Sequence, residues 1–309
     1  MMNEKPIGIL LLAFGGPDSP EAIEPFMKNL MGGRIPPPAL VEKVRARYNL
    51  IGGKSPLPNI TAAQAGKLEE YLQDAGGNFT ASVGMCHWRP FIKEGLEKLL
   101  AQGVDRIIAL SLAPFYSIVS TGAYKEELKK AVSFLSGRVP PITMADSIYN
   151  NSYFLDAVAE KVTLGLAGIP PEKRKDVRVI FSAHSLPVTY IKAGDPYVEQ
   201  FEFTVNRIVQ ELHLENWYMA YQSKGGGQGE WLGPMVEEVM DEVKQEGFTD
   251  VLVVPVGFVS DHIETLYDID IAQKNYADDL GLNFYRTASL NTSPLFIQAL
   301  AEAARSLIK

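Results

Sequence analysis

The chain has 309 residues, enough for about two domains of ordinary size, and 46% hydrophobic against 21% charged residues marks a globular protein. With 29 basic and 37 acidic residues the net charge is -8, which argues against nucleic acid or anionic lipid as partner. Cys86 is the single cysteine, so an internal disulfide, a Cys-based zinc site and a protein-held iron–sulfur cluster are excluded and a reducing cytoplasm is expected.

The longest apolar run, residues 6–17, is shorter than the ~18 residues a membrane helix needs. It ends in Gly15-Gly16-Pro17-Asp18, with Glu4 ahead of it, which does not fit an export signal. Its core, Ile7 to Phe14, reads as a strand buried on both faces and closed by a turn. Ser19 and Pro20 suit the start of a helix reaching about Met31, a second helix follows Pro36-Pro37-Pro38 to Leu50, and a third spans Thr61 to Ala75.

Beyond Gly76-Gly77 strands and helices alternate. Strands are predicted at 79–86, 106–113, 142–145, 177–182, 217–222, 251–256 and 283–285. Helices are predicted at 90–102, 122–135, 151–166, 198–212, 233–245, 261–280 and 293–308. Such alternation means parallel sheets with helices on both faces, the doubly wound α/β class. A weak repeat is visible. Gln102-Gly-Val-Asp105 and Gln245-Glu-Gly-Phe-Thr-Asp250 each lead into an apolar strand, which hints at two similar halves meeting near Asp146 to Asn151. The predicted division is an N-terminal lobe at 1–148, a C-terminal lobe at 149–290 and a last helix within 291–309 packing across both. Ligands then belong at the carboxyl ends of strands, in the cleft between lobes.

Nucleotide fingerprints are missing. Pro17 breaks any phosphate cradle after the first strand, and no Lys-Ser or Lys-Thr follows Gly225-Gly226-Gly227-Gln228-Gly229. Two segments carry chemistry instead. His184, in Ser182-Ala-His-Ser-Leu-Pro187, stands where a buried strand ends, as a proton acceptor, a metal ligand or a packed structural histidine. After the most apolar strand, Asp261, Glu264 and Asp268 are spaced to line one helical face, either as oxygen ligands for a divalent cation or as a solvated surface. Aromatics accompany both segments, and Trp231 beside the glycine loop is the one least suited to ordinary core.

These motifs, together with Leu12-Ala-Phe-Gly-Gly-Pro17, Tyr48-x-x-Ile-Gly-Gly-x-Ser-Pro56, Leu112-Ala-Pro-Phe-Tyr-Ser117, Tyr221-Gln-Ser223, Trp231-Leu-Gly-Pro234 and Pro255 to Asp268, resemble the ferrochelatase family over nearly the whole chain. The resemblance implies a chelatase-like pair of lobes and insertion of ferrous iron into protoporphyrin IX or coproporphyrin III, a lyase step in haem biosynthesis. It places the catalytic histidine at His184 and the catalytic glutamate at Glu264, with Asp268 continuing a metal and proton relay. Phe14, Arg47, Tyr48, Ser55, Tyr124 and Trp231 would touch the macrocycle or its propionates. Ferrous iron and porphyrin are then the partners and substrates, with no resident cofactor and no iron–sulfur cluster, in a cytoplasmic monomer that meets other haem-pathway enzymes transiently.

This chain departs from some relatives in having Ala272 where they extend the acidic line, Phe14 where they offer a side-chain ligand, and only Arg34 in Leu30-Met-Gly-Gly-Arg34. The nearest alternative is a chelatase loading cobalt or nickel into another tetrapyrrole, for which the cleft segments hold few basic residues. A two-lobed binding protein and a twin-lobed sugar-nucleotide transferase are the rivals from other classes.

Overall fold

The computed structural model describes residues 5–308; Glu4 and the outer ends of the predicted terminal segments lie outside the described residues. The first sheet holds β1 (Ile7–Ala13), β2 (Phe79–Met85), β3 (Arg106–Ser111) and β4 (Ile142–Ala145) in the order β2-β1-β3-β4. The second holds β5 (Arg178–His184), β6 (Trp217–Gln222), β7 (Asp250–Val254) and β8 (Asn283–Arg286) in the order β6-β5-β7-β8. Every pairing between these strands is parallel. The two orders are the same, so the weak repeat marks two topologically equivalent sheets, with β3 and β7 in matching places.

Why the central strands read as unbroken apolar runs is plain from their faces. In β1, Ile9, Leu11 and Ala13 pack into the large core shared by both sheets, while Leu10 and Leu12 pack into a separate outer core. In β5, Val179, Phe181 and Ala183 face the shared core and Ile180 the outer one. Side chains alternate along a strand, and both faces are covered by helices, so neither set can be polar.

The helices are α1 (Ile23–Leu30), α2 (Pro38–Leu50), α3 (Leu57–Asp74), α4 (Ile92–Ala101), α5 (Ala123–Ser133), α6 (Ser152–Ala167), α7 (Val188–Lys192), α8 (Tyr197–Leu212), α9 (Val236–Gln245), α10 (Lys274–Leu280) and α11 (Pro294–Ser306). The last, α11, packs against α6, α3 and β3, and the Arg106 guanidinium donates to the Ile308 carbonyl at 3.2 Å. Among the described residues no helix is long and apolar enough to cross a membrane.

Two segments differ from the predicted helices. Residues Ile118–Gly122 form a π-helical turn ahead of α5, and Glu264–Gln273 form a ten-residue π-helix that runs into α10. Residues 261–280 are therefore not one α-helix, and Asp261 precedes the helical segment. The short α7 was also absent from the sequence prediction. Pro187 at its start and Gly194 at φ +92 just after it confine it to five residues.

Candidate active site

A cleft of about 620 Å³ opens at the carboxyl ends of β1, β3, β5 and β7. That volume lies within the roughly 300–1,000 Å³ of small-molecule sites. The site falls there because central strands β1 and β5 each have a neighbour on both sides, so the connections leave in opposite directions and part at the strand ends. Phe14 follows β1, Leu112 to Phe115 follow β3, His184 ends β5, and Gly257 to Glu264 follow β7. Helix α2 adds Leu40, Val44, Arg47 and Tyr48 from one face.

At the cleft floor the His184 Nε2 atom lies 3.5 Å from Glu264 Oε1, with 32% and 29% of the two side chains open to the cleft. The other His184 nitrogen, Nδ1, is 2.6 Å from the Ser185 carbonyl, which fixes it as the proton carrier and aims Nε2 at the carboxylate. Glu264 has a second imidazole, His262, whose Nε2 lies 3.4 Å from Oε2. Burial lowers the basicity of His184, but the Glu264 charge and hydrogen bond and the Ser185 carbonyl outweigh it, so its pKa rises. Burial acts upward on Glu264, yet His184 and then His262 hold it far below the usual carboxylate range. Each group of the pair thus favours the charged form of the other.

Asp268 stands four residues on, near one turn of the π-helix, and accepts from the Ser223 hydroxyl at 2.6 Å. Burial and the Glu264 charge raise its pKa, against the opposing pull of Ser223 and Arg47. Arg47 reaches Asp268 at 4.0 Å and lies over the Tyr267 ring at 5.0 Å. Its charge is therefore partly spent on the acid row before any ligand arrives. Tyr48 and Tyr124 line the cleft as buried phenols, and burial with the Glu264 charge raises both above the ordinary tyrosine value. They remain hydrogen-bond donors. Ser55 and Phe14 complete the predicted residues that reach the cleft.

Two predicted placements are corrected. Trp231 does not line the cleft: its indole N–H donates to the Gly227 carbonyl at 3.2 Å and its ring packs under Gly225 and Gly227. The glycines are needed there because a Cβ on Gly225 would come within 2.6 Å of the ring. Asp261 leaves the acidic row, because Ser289, Asn291 and Arg286 take its carboxylate at 2.7, 2.7 and 3.3 Å. That network anchors the start of the π-helix to the segment after β8.

The sequence prediction passed over several side chains. His262 is one, although a second imidazole two residues from Glu264 is itself a signal. Tyr197, whose hydroxyl donates to the His184 carbonyl at 3.1 Å, and Lys224 on the cleft lining gave no local signal. Cys86 is no candidate ligand, since burial pushes its thiol up to about 12 and keeps it protonated.

The chain is similar to known proteins over nearly its whole length. A family model described as Ferrochelatase matches residues 6–307. The chain is 38% identical over 303 residues to a ferrochelatase of Deinococcus radiodurans, covering 97% of this chain and 96% of the relative. It is 41% identical over 324 residues to one of Geotalea uraniireducens, covering 99% of each, and 39% identical over 303 residues to a coproporphyrin III ferrochelatase of Geobacillus thermodenitrificans, covering 97% and 95%. Among solved structures, SirB from Bacillus subtilis with Fe3+ superposes at TM-score 0.61 and 15% identity, covering 97% of this chain and 95% of SirB. CbiX, the terminal enzyme of sirohaem biosynthesis in denitrifying bacteria, superposes at 0.57 and 10% identity, covering 98% and 100%. These last two likenesses carry the two-sheet chelatase fold alone. The chain belongs to the ferrochelatase family of metal-chelating enzymes.

Proposed function

We propose that the protein inserts ferrous iron into a porphyrin. The observation that carries this reading is the His184–Glu264 contact at 3.5 Å on the floor of a largely apolar cleft, with His262 and Asp268 beside it. Insertion replaces two pyrrole N–H protons by one Fe2+, so the site must supply a dication and remove two protons. A flat macrocycle hides its nitrogen lone pairs. A stiff slot that holds the ring bent exposes them and favours the transition state over the flat ground state.

Glu264 and Asp268 are hard oxygen donors suited to drawing in the dication and shedding its waters. Positive charge arriving at Glu264 offsets the interaction that raises the His184 pKa, so the imidazole is favoured in its neutral form as the base for a pyrrole proton, which then passes to the acid row. The second pyrrole proton leaves by the same route. Iron is the substrate in this scheme and no resident cofactor takes part. Phe14 has no ligating atom and serves as apolar wall.

A cobalt or nickel chelatase acting on a polycarboxylate tetrapyrrole is less well supported, because Arg47 and Lys224 are the only fixed cations among the described cleft residues. The test is anaerobic Fe2+ insertion into protoporphyrin IX and coproporphyrin III, followed by absorbance. Turnover with either, lost in His184→Ala, supports the proposal; no turnover with both defeats it.

A further inference from the structure

The connection after β3 forms one wall of the cleft, through Val119 and Ser120 on the π-helical turn and Tyr124 at the start of α5. This wall is tied to the opposite lobe. The Ser117 hydroxyl and the Ile118 N–H both donate to Asp195 Oδ2, at 2.9 and 2.8 Å. The other oxygen, Oδ1, accepts from the Tyr197 N–H at 3.1 Å, and the Tyr197 hydroxyl donates to the His184 carbonyl at 3.1 Å. Gln200, one turn into α8, accepts from the Tyr116 N–H at 2.8 Å. A continuous path of hydrogen bonds thus runs from the first-lobe wall, through a single carboxylate, to the backbone of the cleft histidine.

We infer that Asp195 is a positioning residue: a carboxylate clamp that sets the spacing between the π-turn wall and His184, and with it the grip on a macrocycle bound between them. The inference rests on the porphyrin reading of the cleft and goes beyond it by naming what keeps the slot stiff. Bending a ring loads its walls with an equal and opposite force. A wall that yields lets the ring flatten and forfeits the advantage to the transition state. Asp195 meets that load with charge-assisted bonds, roughly twice as strong as neutral ones, to both a side chain and a backbone donor of the wall. Ser117 is fully buried, so its hydroxyl has no water to turn to if the carboxylate is removed.

The test compares wild type, Asp195→Ala, Ser117→Ala and the double variant in full-length protein. Four quantities are read: kcat for metal insertion, porphyrin Kd by fluorescence, the out-of-plane Raman bands of bound free-base porphyrin, and Tm. Asp195→Ala is expected to lower kcat tenfold or more, to change Kd less than threefold, and to weaken the out-of-plane bands. Ser117→Ala is expected to do the same to a smaller degree, and the double variant to be no slower than Asp195→Ala, since both remove one clamp. Should Asp195→Ala fail to fold, Asp195→Asn takes its place in the same cycle. A fall in Tm with kcat and Raman bands unchanged, or strictly additive losses in kcat, overturns the inference. A wild-type enzyme that binds porphyrin but inserts no metal defeats the functional proposal instead, and the Raman comparison still reports on the clamp.

Discussion

In the proposed reaction the chemistry turns on Glu264, which is shared by two imidazoles and stands at the start of the acid row. Replacing it with Gln removes the charge that raises the His184 pKa. The acid limb of the insertion rate is therefore expected to move to lower pH, read from kcat against pH. The same linkage sets a stability window. His184 has a raised folded pKa, so its contribution is full below the unfolded value of about 6.5 and fades as pH climbs through the folded one. Glu264 has a lowered pKa, so its contribution is present above about 4.3 and is lost as pH falls through its folded value. Wild type should exceed Glu264→Gln in stability most clearly between those values, and the margin should shrink toward alkaline pH, as urea unfolding across the range will show. His184→Ala is expected to slow insertion by about 100-fold or more, the scale of a lost general base, with porphyrin binding largely kept.

The π-helix and the loop beneath it place these groups. Arg286 on β8 grips Asp270 through two nitrogens, at 2.5 and 2.9 Å, and reaches Asp261 at 3.3 Å, so one guanidinium fixes the segment that presents Glu264 and Asp268. Arg286→Leu takes from Asp270 its guanidinium partner and from Asp261 its one cation among the described residues, leaving Asp261 with Ser289 and Asn291. It is expected to cost about 2 kcal/mol and to raise the apparent KM for Fe2+, by thermal melts and iron titration of the rate. Gly257 lets the loop after β7 pass the end of β5. An added Cβ would lie 2.8 Å from the Ala183 Cα, one residue before His184. Backbone cannot step aside as a flexible side chain can. Gly257→Ala is therefore expected to lose about 1–3 kcal/mol and most of the activity together, measured by chemical unfolding and turnover.

Across the molecule, the shared core runs without a break from Ile9 and Phe79 on the first sheet to Phe181 and Leu252 on the second. Gln64 adds a buried polar link, its amide donating to Ser260 Oγ at 2.8 Å and to the Asn291 carbonyl at 2.7 Å, right behind the acid-bearing loop. The lobes are thus expected to unfold together, giving a single calorimetric transition with agreeing van't Hoff and calorimetric enthalpies. Gln64→Ala should lower stability by about 1–3 kcal/mol, since it leaves the buried Ser260 hydroxyl and the half-buried Asn291 carbonyl short of a donor.

Much of this was settled by the chain alone. Unbroken apolar strands such as Ile7 to Phe14 demand cover on both faces, and strand–helix alternation then leaves a parallel doubly wound fold, which holds ligands at the carboxyl ends of strands such as the one that His184 closes. Tertiary structure decided the rest. Local propensity does not separate π from α winding, because both use the same residues and differ only in which carbonyl each N–H meets. Whether an acid faces a cation or a guanidinium depends on Arg286, Ser289 and Asn291, which lie 25 or more residues beyond Asp261. Trp231 beside a glycine run looked like a ligand wall until the glycines closed over its ring. The path from Ser117 through Asp195 to His184 begins with a bond between residues 78 positions apart, and only the packing of the first half of the chain on the second brings those two together.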